Sequence, residues 1–189
     1  MQLSKFDYYS DYVAYPVVIA CLAGHALIGP ARVDQLLWLR ALGLGVVVWS
    51  LLEYLLHRFV LHKIPYFMPM HGLHHTAPLS YVGTPTWISL ATYVGAIFMP
   101  AYLLFGFNAA SGFFAGVTAG YVWYGALHHL IHHRAELARL PYLRRLRADH
   151  LRHHYARRAG NFGVTTAIWD RLFGTSIRAG AGAAAPGGR

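Results

Sequence analysis

The sequence predicts an all-α integral membrane protein: four transmembrane helices with a cytoplasmic, histidine-rich helical cap that holds a dinuclear metal site. Three observations carry that prediction. The composition is too apolar for a soluble domain, four apolar runs are long enough to cross a bilayer, and all but one of the histidines gather at the ends of those runs.

Of 189 residues, 56% are hydrophobic and 12% charged, against about a quarter charged in a soluble domain. The formal charge of +9 does not point to nucleic acid, because thirteen of the sixteen Lys and Arg lie from Arg58 onward, between or after apolar runs. That distribution belongs to a cytoplasmic face against anionic headgroups. Arg- and Ala-rich composition points to a bacterial inner membrane. The single cysteine, Cys21, excludes a disulfide framework and a cysteine-ligated cluster, and is expected to be a small buried hydrophobe. The opening "MQLSKFDYYSDY" has no basic n-region or small-residue cleavage site, so no cleaved signal peptide is expected.

The apolar runs cover 13–29, 36–56, 86–106 and 110–131. A span needs about 20 residues, so the first is marginal and the others are ample. The connections 30–35 and 107–109 are nearly free of basic residues, whereas the loop 57–85 and the tail after 132 hold most of them. The positive-inside rule therefore puts both termini and the 57–85 loop in the cytoplasm. Residues 1–178 read as one membrane-embedded catalytic domain and 179–189, "AGAGAAAPGGR", as a disordered tail.

Twelve histidines form four groups: His57 and His62; His71, His74 and His75; His128, His129, His132 and His133; His150, His153 and His154. On the topology above, every group reaches the same side of the membrane. Residues i, i+3 and i+4 share a helix face, so each HxxHH offers two or three imidazoles to one direction. His128 with His132, and His129 with His133, point in different directions. The spacing of five between His57 and His62 does not share a face in an ideal helix, and requires a helix end, a local distortion or two separate metals. Imidazole suits iron, copper, zinc and nickel. Eight to ten ligands exceed what one ion takes, so two ions are implied. His25, alone in the first span, is a packed or interfacial histidine.

Two carboxylates adjoin the ligands. Glu53 lies one turn before His57 and either accepts its other ring N–H or pairs with Arg58. Asp149 either does the same for His150 or is a solvated turn residue, and Asp170 caps or pins the C-terminal segment.

"WSLLEYLLHRFVLH" (49–62), "MHGLHHTAP" (70–78), "GYVWYGALHHLIHH" (120–133) and "DHLRHHYARRAGNFGVTTAIWDRLFGT" (149–175) resemble, in order and spacing, the fatty acid hydroxylase/sterol desaturase superfamily, and within it the catalytic domain of fatty acid 2-hydroxylases. The resemblance covers about 45–177. It implies a membrane non-haem di-iron oxygenase that hydroxylates a lipid acyl chain with O2. The implied ligands are His57, His62, His71, His74, His75, His128, His132, His150, His153 and His154. His129 and His133 fall where the family often has other residues, so they become neighbours of the ligands, as do Tyr121 and Tyr124. Gly125 departs from an aspartate that these hydroxylases carry beside the second tyrosine. Zinc is a ready substitute for iron in a purified sample. The substrate comes from the membrane, and electrons from an external ferredoxin- or cytochrome-type donor docking on the basic face. Histidine motifs alone do not separate hydroxylase from desaturase or sterol/carotenoid oxygenase. A membrane haem electron-transfer protein is the reading from another class, although two axial ligands leave eight or more histidines unexplained. A metal transporter ranks last, since the third and fourth spans lack mid-span acidic residues.

Overall fold

The computed structural model describes residues 2–29, 34–134, 136 and 139–177. Helix α1 (Lys5–Ile28) starts at Ser4, whose hydroxyl accepts from the Asp7 backbone N at 3.1 Å, and α2 (Gln35–Leu55) at Asp34, which accepts from Leu37 N at 2.9 Å. These caps satisfy N–H groups that have no partner within the helix. A π-helical turn, Leu56–Leu61, prolongs α2. Then follow α3 (Met68–Thr76), α4 (Thr86–Tyr93), a second π-helical stretch Val94–Phe98, α5 (Met99–His133), α6 (Pro141–Tyr155) and α7 (Ile168–Leu172).

Among the described residues, three stretches are long and apolar enough to cross a membrane: Lys5–Ile28, Gln35–Leu61 and Thr86–His133. The third does not run straight. Phe98 and Phe114 have ring centroids 5.5 Å apart, and Tyr93 and Tyr121 5.3 Å. Sixteen residues of continuous helix would separate the first pair by about 24 Å. The chain folds back at Gly106, whose φ of 75° and ψ of 171° leave the helical region, a conformation open to glycine. The turn expected over 107–109 is therefore centred one residue earlier. The first helix also begins at Lys5 rather than near 13. Asp7 and Asp11 interrupt the apolar run, but Asp7 sits in the first turn by the Ser4 cap and Asp11 bonds inward to Thr86 and Tyr121.

The outward faces carry Val13, Leu44, Val47, Leu103, Leu104 and Phe105, all exposed. So large an unpartnered apolar surface needs a bilayer as its solvent, and this is a multi-pass membrane protein. Cys21 lies exposed on this surface instead of buried. Its small size lets it sit on an apolar face as easily as in a core.

Helices α2 and α5 share the most extensive interface. A Cβ added at Gly116 would overlap the Leu42 carbonyl, and one at Gly45 would overlap the Phe113 carbonyl and sit 2.8 Å from Val117 N. With lipid outside as apolar as the protein, close backbone approach through small residues replaces hydrophobic burial as the attractive force. Trp38 Nε1 adds a buried bond of 3.2 Å to Ser111 Oγ. This interface fixes the ends of α2 and α5, and so the positions of His57, His128 and His132. Residues 178–189, including the expected disordered tail, and most of the connection 30–35 lie outside the described residues.

Candidate metal centre

The ten histidines expected as ligands fall into two groups: His57, His62, His71, His75 and His153; and His74, His128, His132, His150 and His154. Within each, one ring nitrogen per residue lies within 4.8 Å of all the others. The π-helical turn resolves the spacing of five. Its wider turn brings residues i and i+5 to one side, and the His57 and His62 rings stack with centroids 5.3 Å apart. Helix α3 splits its HxxHH, sending His71 and His75 to one group and His74 to the other. Helix α6 likewise divides His153 from His150 and His154.

The nitrogens face one another in a way neutral imidazoles cannot satisfy alone. His57 Nδ1 donates to Phe162 O at 2.6 Å and His153 Nδ1 to Gly160 O at 2.9 Å, which leaves each Nε2 with a bare lone pair. His71 Nε2 meets three other Nε2 atoms, those of His57 at 3.1 Å, His62 at 3.0 Å and His75 at 3.0 Å. One ring nitrogen carries either one proton or one lone pair, so at most one of these contacts is a hydrogen bond. The second group repeats the pattern: His150 Nε2 faces His132 at 2.9 Å and His154 at 3.1 Å, and His128 faces His74 at 2.8 Å. Lone pairs converging in this way fit a cation between them, and the donors suit iron or zinc.

Burial keeps these rings neutral, the form that ligates. It pushes His62 down to about 4 and His74 and His153 to about 3, and it lowers His71, His75, His150 and His154 as well. Neighbouring histidines add to the depression, because a charge on one opposes a charge on the next.

The carboxylates act differently from expectation. Glu53 neither accepts from His57 nor pairs with Arg58. Buried, it accepts from Val164 N and Thr165 N at 2.5 and 2.9 Å and from Thr165 Oγ1 at 2.5 Å, and so ties the C-terminal segment to α2. That segment then presents the Phe162 carbonyl to His57. Arg58 instead donates to Tyr54 OH at 2.6 Å. Asp149 pairs with Arg152 at 2.6 Å rather than with His150. Asp170 accepts from Phe162 N, Gly163 N and Thr175 Oγ1, folding the C-terminal segment on itself. His129 and His133 lie outside both groups, stacked on each other at 4.2 Å, with His129 Nδ1 3.2 Å from Tyr8 OH. His25 packs edge-on against Phe107.

A cavity of about 310 Å³ opens onto His57, His71, His74 and His128. Tyr121 and Tyr124 line it, Tyr124 stacking on His128 at 5.6 Å. Helix α1, for which no site residue is expected from the sequence, adds Tyr8, Asp11 and Tyr12 to the same wall. Asp11 accepts from Tyr121 OH and Thr86 Oγ1, both at 2.5 Å. The signal was present in "YYSDYVAY": Tyr8, Asp11, Tyr12 and Tyr15 recur at helical spacing along one face.

The family model described as Fatty acid hydroxylase matches residues 42–175. The chain belongs to the fatty acid hydroxylase family. The "Fatty acid 2-hydroxylase" of Homo sapiens is 35% identical over 144 residues, 70% of this chain and 38% of that protein. The "Ceramide very long chain fatty acid hydroxylase SCS7" of Saccharomyces cerevisiae is 35% identical over 93% of this chain and 47% of its own length. A solved structure of full-length scs7p, with only the hydroxylase domain visible, superposes with a TM-score of 0.78 at 30% identity, covering 90% of this chain and 67% of that one. The chain thus spans less than half the length of the human and yeast relatives. Both are eukaryotic and lend no support to the expected bacterial inner membrane.

Proposed function

We propose that this family member is a membrane-embedded, O2-dependent hydroxylase of lipid acyl chains, with one iron held by each histidine group. The observation that carries the reading is the pair of five-imidazole groups whose Nε2 lone pairs converge at 2.8–3.1 Å. When bound, the metal pair supplies the oxidising power toward a C–H bond that side chains lack. The residues of the chain do the rest. Val60, Leu61, Met70 and Trp49 line the cavity and suit an acyl chain entering from the bilayer. Tyr121, Tyr124 and Asp11 offer its polar end hydrogen bonds beside His57 and His128. The turn at Gly106 supports four crossings. Two hairpins with both termini and the histidine layer on the cytoplasmic side accord with the positive-inside distribution. Residues 1–178 act as one catalytic domain, and electrons come from an external protein donor. The relatives named as 2-hydroxylases support acyl carbon 2 as the position of the added oxygen.

Lipidomics of cells with and without the protein tests this. The expected product is an acyl lipid heavier by one oxygen, placed at carbon 2 by fragmentation. Loss of two hydrogens would make the enzyme a desaturase, and a Soret band in the purified protein would overturn the non-haem reading.

A further inference from the structure

Helix α6 carries two chemistries on opposite sides. At about 3.6 residues per turn, His150, His153 and His154 share one face, while Arg145, Ala148 and Arg152 share the other. The arginine face walls an open groove of about 900 Å³, closed on its far side by the C-terminal segment around Arg171 and Ser176. Arg144, Arg145 and Arg171 are exposed, and among the described residues only Arg152 of these has a carboxylate partner.

The groove's lining connects directly to the histidines. Asn161, one of its lining residues, has a φ of 53°, the sole positive value outside glycine among the described residues. Its side chain donates to Asp149 O at 3.1 Å and accepts from Ile177 N at 2.8 Å. The residues on either side supply the carbonyls that hold two imidazoles: Gly160 O for His153 and Phe162 O for His57. One peptide and one hydrogen bond separate Asn161 from His153, and one further residue separates it from the carbonyl that holds His57.

Resting on the hydroxylase reading, the electron balance needs such an entry. Converting R–H, O2, two electrons and two protons into R–OH and water oxidises two equivalents of a reduced one-electron carrier. We propose that the arginine groove docks an acidic one-electron carrier protein, whose electrons pass along Gly160–Phe162 toward His57 and His153. Positive charge around the groove selects an acidic surface and speeds its arrival. The bonded connection to the imidazoles favours a redox protein over a lipid headgroup, which has no use for it.

The test uses the full chain, zinc-loaded, in neutral phosphatidylcholine nanodiscs, with the soluble haem domain of cytochrome b5 and a [2Fe–2S] ferredoxin as probes. Arg145→Glu should slow association of at least one carrier by about tenfold or more at low ionic strength and flatten its salt dependence. Lys5→Glu, an equal change of charge elsewhere, should stay within about twofold. In the iron-loaded protein, Arg145→Glu should lower carrier-driven hydroxylation while dithionite-driven turnover holds. The proposal is overturned if neither carrier binds in an Arg145-dependent way or if Lys5→Glu loses as much. It is also overturned if Arg145→Glu matters only in phosphatidylserine discs, which marks a headgroup site. Arg145-dependent binding with no lipid hydroxylation would keep the docking surface and overturn the hydroxylase reading instead.

Discussion

The α2–α5 interface at Gly45 and the histidine layer at His57 lie about three turns apart along α2, yet they are held together by opposite means. The interface is backbone against backbone: Gly45 and Gly116 touch carbonyls of the facing helix and no charge is needed. The layer brings together ring nitrogens, and at most one contact in three around His71 Nε2 is a hydrogen bond, so most of them gain nothing from proximity without a cation. The first is complete in the polypeptide, and the second has the donor set that a metal ion would complete. Glu53 sits at the joint, anchored in α2 and bonded to the segment that orients His57.

The largest way to break this contrast is Gly116→Leu. Its side chain would displace the Leu42 carbonyl, beyond the about 1–3 kcal/mol usual for overpacking, and size-exclusion chromatography should show no folded protein with or without metal. Next is Glu53→Ala, which strips the acceptor from two backbone N–H groups and a hydroxyl at a cost of about 1–3 kcal/mol for each group left buried. Thermal unfolding should drop by several degrees and bound metal should fall, while Arg134→Ala, exposed, changes neither. Chelation is gentler. Hydrogen exchange should rise across α3, α6 and 160–165 with α2–α5 unchanged, and equal loosening of both regions would erase the distinction.

The smallest effect is that of pH. Burial holds the folded-state value of His62 near 4 and those of His74 and His153 near 3, below the unfolded value of about 6.5. The unfolded chain therefore binds protons first as pH falls. Stability of the metal-free protein is complete above about 6.5 and declines as pH drops from there toward 4. Metal retention should persist to about pH 5 and fail near 4, not at the pH of about 6 expected of exposed imidazoles. Release of half the metal at pH 6 would show that the rings are not shielded.

Much of this was legible in the sequence because its signals are periodic. HxxHH puts imidazoles on one helix face, and long apolar runs mark membrane helices. What was not legible depends on long-range geometry. No local rule divides His74 from His71 and His75, because the division arises where α3 meets the ends of α2 and α5. The i, i+5 spacing of His57 and His62 demands a departure from the α-helix, and which one the chain adopts, here a π-helical turn, is a backbone choice that no local spacing rule dictates. Glu53 was read by proximity to His57, although a buried carboxylate bonds to whichever N–H groups the fold delivers, here those of Val164 and Thr165. Asp11 was hidden because it lowers the hydropathy of a helix whose polar face lines a cavity.

The central claim is that ten imidazoles hold two ions, and metal analysis of the intact, iron-reconstituted protein with His132→Ala and His133→Ala beside it tests that most directly. The account predicts two irons per chain, about half lost in His132→Ala and nearly all kept in His133→Ala. One iron or none in the unaltered chain, or equal loss in both variants, would contradict it.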